Sequence, residues 1–416
     1  MNSLLSKLLG LRFAANNQND KISYDNRLDG LRGFAACSVM YVHIMGDGEL
    51  GPFALSAEWA RNIHLSRSAV MIFFITSGYV IGLTNRKQFS PSLINDYIYR
   101  RCLRIVPVYL IALGAGWLAF QGSSWQNLGE NIIFLQNCAW GIQPLMGDLP
   151  VWSLHYEMVY YFGFILIWRW QPRVWPLAIL FLILPVADWF EGGIFSVLGG
   201  WSSGAFFWLT GLLLAWNRPA KSSTPLIAFL LLAIATERLC PGKMLLNGIG
   251  LPYAGCTAIQ LPDLFLLPVC VVVFSGVLEI DFPGLKALRW VSVMIPLGTC
   301  ILLWKMGRLL ENAPWTIASA ALVLALPLLF LESATWGQRL LKKFRPLGKI
   351  SYGLYLFHLP ISFFVVQWYP WQTGLANYLG AVISWLALTL GLSWVCEFRL
   401  QPRLVAFYKQ WRISTH

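Results

Sequence analysis

Twelve apolar stretches, most of them close to the length that crosses a bilayer, run through this 416-residue chain near 28–46, 66–85, 98–120, 150–169, 173–190, 198–216, 223–239, 258–279, 289–304, 313–332, 348–369 and 375–397. A span needs about 20 such residues. Inside hydrocarbon the backbone must satisfy its own hydrogen bonds, so long apolar segments in sequence mean helices. Only 12% of the residues are charged, where a soluble domain has roughly 25%. The expected fold is therefore all-α, a polytopic membrane protein of about 10–12 transmembrane helices. The range reflects two marginal stretches: the fifth carries Pro176 and Pro185, and the ninth is short.

The basic residues fall at alternate ends of these stretches. Lys7, Arg12, Lys21 and Arg27 precede the first, and Arg86, Lys87, Arg100, Arg101 and Arg104 follow the second. Later clusters are Arg169 with Arg173, Arg218 with Lys221, and Lys286 with Arg289. Arg339 to Lys349 and Arg399 to Arg412 complete the set, while the opposite loops hold acids such as Asp47, Glu130 and Asp188. By the positive-inside rule both termini are expected in the cytoplasm. The same clustering explains the net charge of +12 and argues against nucleic acid as a partner. Membrane lipid is the expected surrounding. The domain reading is a cytoplasmic segment over 1–26, a membrane domain over 27–398 and a basic tail over 399–416. Leu4 to Phe13 is too short and interrupted for a cleavable signal, and suits an interfacial position. The eight cysteines show no metal spacing, and no metal is expected. Cys240 and Cys256 flank one loop and are a candidate disulfide pair.

Several polar side chains stand where lipid would exclude them. In Asp29-Gly30-Leu31-Arg32 through Val42-His43, eleven steps separate Arg32 from His43 with only small, apolar or weakly polar residues between. Eleven helical steps close about three turns, so both share one face roughly 16 Å apart. A titratable pair inside a span is a functional-site hypothesis by default. For His43 alone, an interfacial histidine meeting headgroups is the competing reading.

Arg101 and Arg104 are three apart, on one face at the inner opening of the third stretch. They serve either as topological anchors or as a phosphate site, because the planar guanidinium binds phosphate bidentately. Glu157 lies early in the fourth stretch, roughly 10 Å below its outer end by helical rise. There a carboxylate pairs, protonates or reacts. His155, two residues away, reads as interfacial. His358 is ten residues past a cytoplasmic entry point, as a core histidine or a site residue. Ser77 and Gly78 mark a small polar patch that helix packing explains as well as function.

Together, Arg32, Arg101 and Arg104 gather at the inner end, and His43, Glu157 and His358 in the outer half. A phosphate-bearing donor docked inside would extend a reactive arm outward, and about 16 Å is the reach of a pantetheine arm. A histidine can then take the proton of an acceptor hydroxyl.

Five blocks in order resemble the integral-membrane acyltransferase 3 family of bacterial O-acyltransferases. They are Arg27-Leu28-Asp29-Gly30-Leu31-Arg32-Gly33 with His43, Phe73 to Gly78, Arg101-x-x-Arg104-Ile105-x-Pro107, Trp152-Ser153-Leu154-x-x-Glu157, and Leu347-Gly348-x-Ile350-Ser351-Tyr352 with Tyr355-Leu356-x-His358. Residues from about 170 to 340 match no motif. The resemblance implies an acyl-CoA donor, usually acetyl-CoA, used as substrate with no permanently bound cofactor. It implies acylation of an outward-facing carbohydrate such as exopolysaccharide or O-antigen, in a bacterial inner membrane. Carried over by position, His43 and Glu157 look catalytic, and Arg32, Arg101 and Arg104 look like the acyl-CoA site. Ser77 and His358 are secondary candidates. Some members carry a C-terminal SGNH-type hydrolase domain, and this chain resembles the branch without one. Family members usually have about ten spans. Acceptor identity and oligomeric state are not legible. A transporter or flippase is the rival reading, since buried charges also line carrier pathways, but paired halves of similar hydropathy are not visible. A membrane scaffold, the third, would not need titratable residues at depth.

Overall fold

The computed structural model describes residues 12–13, 25–45, 62–120, 124–136, 144–191, 196–216, 220–221, 223–250, 258–368 and 375–414. Its helices are α1 (Asn26–Met45), α2 (Ser66–Thr84), α3 (Pro91–Ala119), α4 (Trp125–Ile132), α5 (Trp152–Trp170), α6 (Val174–Glu191), α7 (Ser196–Trp216), α8 (Leu226–Leu239) and α9 (Pro241–Gly248). There follow α10 (Leu267–Leu278), α11 (Leu285–Lys305), α12 (Ala313–Leu331), α13 (Ala334–Lys342), α14 (Arg345–Gly348), α15 (Ser351–Trp368), α16 (Leu375–Val395) and α17 (Gln401–Ser414). Short 3₁₀ turns at Met146–Val151 and Leu261–Leu266 lead into α5 and α10, and a π-helical turn at Cys396–Leu400 joins α16 to α17. Strand structure among the described residues is limited to β1 (Ala220–Lys221) antiparallel to β2 (Ile280–Asp281), with Ala220 opposite Asp281, and a lone bridge between Arg12 and Arg173. The chain is an all-α polytopic membrane protein.

Each of the twelve apolar stretches carries a helix. Seven helical runs among the described residues are long and apolar enough to cross a membrane: Ser66–Thr84, Pro91–Ala119, Val197–Trp216, Leu261–Leu278, Leu285–Lys305, Ala313–Leu331 and Ala376–Gln410. α1, α5 and α15 are not among the seven. These three carry Arg32 and His43, Glu157, and His358, and their polar side chains dilute the apolar run. The ninth stretch, expected to be short, is the 21-residue α11. The seventh yields only the 14-residue α8.

Helix starts are built from side chains near and far. Asp25 accepts the backbone N–H of Arg27 at 2.9 Å and caps α1. Glu237, at the end of α8, accepts from the backbone N–H of Arg67 at 3.1 Å and of Ser68 at 2.8 Å, and so caps α2 from another helix. Glu332 likewise accepts from Ile227 and Ala228, both at 2.9 Å, and caps α8. A carboxylate at a helix N-terminus meets both the free donors and the positive end of the dipole.

α2 runs through the interior. Gly78 meets α7 so closely that a Cβ there would come within 1.9 Å of the Trp208 carbonyl oxygen. Gly33 of α1 faces α14 in the same way, its Cβ position 2.2 Å from the Phe344 carbonyl oxygen. Small residues let membrane helices approach this closely. Trp168, Trp208, Trp385, Phe164, Phe207 and Phe274 fill the core between them.

Candidate active site

A cavity of about 150 Å³ opens between α1, α2, α3, α5 and α15, and Arg32, Ser77, Arg101, Arg104, Glu157 and Tyr161 all line it. Five residues singled out from sequence thus share one space.

Ser77 and Gly78 divide the two roles proposed for their patch. Gly78 packs against α7. Ser77, one step round the helix, donates to Glu157 Oε1 at 2.7 Å. Tyr161 Oη donates to the same oxygen. Tyr161 is one turn after Glu157 on α5, so both point into the cavity. The Arg101 guanidinium sits 5.8 Å from the centre of the Tyr161 ring, a cation–π contact.

Arg101 and Arg104 are not at the opening of a helix. α3 starts at Pro91, where proline at the first position is pre-organised for a helix, so Arg101 is nearly three turns in. Arg100 turns away and pairs with Asp96 at 2.7 Å, in keeping with an anchor. Arg104 pairs with Glu397 at 2.5 Å and lies 5.6 Å from the centre of the Tyr352 ring. Glu397 comes from the π-helical turn, 293 residues away. Its carboxylate is buried and its second oxygen has no hydrogen-bond partner. π-turns concentrate at functional positions. Among the described residues, neither Arg32 nor Arg101 makes an ion pair. The cavity therefore presents two uncompensated guanidiniums beside one compensated pair.

His43 and His358 form a second cluster behind this cavity. Their ring centres are 5.1 Å apart at 45°. Tyr355, which lines the cavity, has its ring centre 6.2 Å from that of His358. His358 Nδ1 lies 3.1 Å from the Leu354 carbonyl oxygen. A carbonyl only accepts, so Nδ1 carries the proton and Nε2 is the lone-pair nitrogen. That nitrogen is buried with no partner. Nε2 is thus the nitrogen of His358 that can take a proton. Glu157 spends its hydrogen bonds on Ser77 and Tyr161, and His43 faces His358 instead.

His155 does not present its ring to the surroundings. It is 4% exposed, its Nδ1 donates to the Phe134 carbonyl at 2.5 Å, and its Nε2 accepts from the Trp201 indole at 2.8 Å. Both nitrogens are engaged, so it braces α5 against α7. Asp148 is fully buried before α5, and neither carboxylate oxygen has a hydrogen-bond partner. Of the candidate disulfide, Cys256 lies outside the described residues, and Cys240 Sγ is 3.1 Å from the Glu237 carbonyl oxygen.

Acyltransferase MdmB of Streptomyces mycarofaciens is 29% identical over 154 residues, 34% of this chain and 38% of that protein. Nodulation protein 10 of Rhizobium leguminosarum bv. viciae is 32% identical over 94 residues, 23% of this chain and 24% of that protein. The chain spans well under half the length of these curated relatives. No solved structure matches it. The sequence profile described as an acyltransferase domain matches residues 25–398, all five motif blocks included, and the chain belongs to the acyltransferase 3 family.

Proposed function

We propose that this protein is a membrane O-acyltransferase that moves an acyl group, acetyl in the simplest case, from a cytoplasmic acyl-CoA to a hydroxyl of an outward-facing carbohydrate. The carrying observation is one cavity with two uncompensated arginines, Arg32 and Arg101, backed by the His43–His358 pair. Cations held in a low-dielectric space without a carboxylate of their own attract an anionic ligand. The CoA phosphates are that ligand in this reading. Arg32 and His43 share a helix face about 16 Å apart, the length of the arm that carries the thioester. Cytoplasmic termini follow from the charge map, and a bacterial inner membrane from the family resemblance.

In the reaction, the acceptor hydroxyl gives its proton to the His43 imidazole. Its oxygen attacks the thioester carbonyl carbon, and the C–S bond breaks. The proton then passes to the leaving thiolate, so the products are the ester and free CoA thiol. His358 holds its proton on Nδ1 toward Leu354, and its ring packs against that of His43. Glu157 is fixed by Ser77 and Tyr161 and, among the described residues, forms no ion pair with the cavity arginines.

Mass spectrometry of surface polysaccharide from cells with and without the protein tests the reading. Ester-linked acyl groups are expected only when it is present, and expected to vanish in His43→Ala while the protein stays in the membrane. Identical glycans in all three strains would refute it.

A further inference from the structure

A second cleft, of about 440 Å³, lies next to the cavity and plays no part in the mechanism above. Asn26, Asp29, Arg345, Lys349, Trp394 and Phe398 line it. Two links tie it to the cavity. On α1, Asn26, Asp29 and Arg32 are three apart in sequence and share one face, so the cleft begins one turn, about 4.5 Å, below Arg32. On the π-helical turn, Phe398 in the cleft follows Glu397, which holds Arg104.

The cleft has two chemistries. Trp394 and Phe398 are 44% and 45% exposed and present a tilted aromatic pair with ring centres 6.0 Å apart. Around them stand three cations. Arg345 has a buried Nε with no hydrogen-bond partner, Lys349 lines the wall, and Arg399 lies 5.4 Å from the Trp394 ring centre. Asp29 is the single acid lining the cleft, and it is buried. Aromatic faces beside basic groups suit a stacked base carrying phosphates.

We propose that this cleft binds the adenosine 3′,5′-bisphosphate head of the acyl-CoA. The inference rests on the donor named above and adds Arg345, Trp394 and Phe398, which lie outside the matched motif blocks. α1 then acts as a ruler. The nucleotide sits beside Asn26 and Asp29, the pyrophosphate at Arg32 and Arg101, and the thioester about 16 Å further on at His43. Arg345 and Lys349 take the ribose phosphate, and Trp394 stacks on the adenine.

Full-length protein in nanodiscs of neutral lipid, assayed with acetyl-CoA and with acetyl-pantetheine, tests the proposal. Wild type is expected to prefer acetyl-CoA in KM, and adenosine 3′,5′-bisphosphate is expected to compete. In Arg345→Ala/Lys349→Ala, and separately in Trp394→Ala, the preference for acetyl-CoA over acetyl-pantetheine should shrink about tenfold. A preference unchanged in both variants overturns the nucleotide site while leaving the donor assignment standing. Absence of competition by the bisphosphate in neutral nanodiscs also overturns it, and anionic lipid that co-purifies with wild type but not with Arg345→Ala/Lys349→Ala would assign the cleft to a lipid headgroup. A wild type that binds no acetyl-CoA at all removes the donor itself, and that failure is read in the same titration.

Discussion

The site is built from polar side chains whose partners differ in how far they are away along the chain. Ser77, Arg101 and Glu157 stand out in sequence because each interrupts an apolar stretch, and all three line one cavity. Glu397 does not stand out. It ends an apolar stretch, and its partner Arg104 is 293 residues away, a distance no local pattern encodes. The two assignments of Ser77 and Gly78 could be separated only by seeing which face of α2 meets α7. Glu397→Gln should leave Arg104 uncompensated at the cavity edge. Removing one partner of a hydrogen-bonded charge pair costs about 2 kcal/mol when, as here, one partner is partly exposed. Chemical denaturation in detergent checks this, and an Arg104→Ala background should abolish the effect. His358→Asn should lower turnover with little change in the KM for acyl-CoA, because His358 faces His43 and not the arginines. A rise in KM alone would place it in donor binding.

At the scale of elements, the apolar pattern located helices well and their ends poorly. α3 begins at Pro91, seven residues before the apolar stretch does, because its first two turns are polar and carry no hydrophobic signal. Ser90-Pro91 is the start signal that was there to read. This shift moves Arg101 and Arg104 from a helix opening to its third and fourth turns. The trans-caps from Glu237 and Glu332 have no sequence signature, since each carboxylate belongs to a different helix from the one it caps. Glu332→Ala should cost about 1 kcal/mol by freeing the start of α8, visible as a lower thermal midpoint with unchanged helix content. The Asp-Gly-Leu-Arg-Gly block has a packing reason as well as a chemical one. Gly33 lets α1 touch α14, which fixes the height of Arg32 in the cavity. Gly33→Ala should cost about 1–3 kcal/mol by overpacking and weaken donor binding in parallel. Normal stability and binding would mean that α14 moves aside freely.

At the scale of the whole molecule, the fold class was legible because lipid permits so few alternatives. The number of spans was less so. Helices that carry chemistry are less apolar, and α1, α5 and α15 fall outside the seven strongest candidates for that reason. The charge map gives the molecule a direction, and this makes a separate prediction. A fluorescent protein fused after residue 416 should fluoresce and alkaline phosphatase at the same position should be inactive; the reverse would invert the route. In the proposed function, the inner arginines and the outer histidines are the two ends of one path for an acyl group. At the inner end of that proposed path, Arg32 and Arg101 hold the donor's phosphates. The direct measurement is a binding isotherm of acetyl-CoA on the purified full chain in nanodiscs, wild type against Arg32→Ala/Arg101→Ala. Saturable binding by wild type and a loss of at least about tenfold in the double variant is the predicted result. Equal affinity in the two proteins, with both folded, would contradict it.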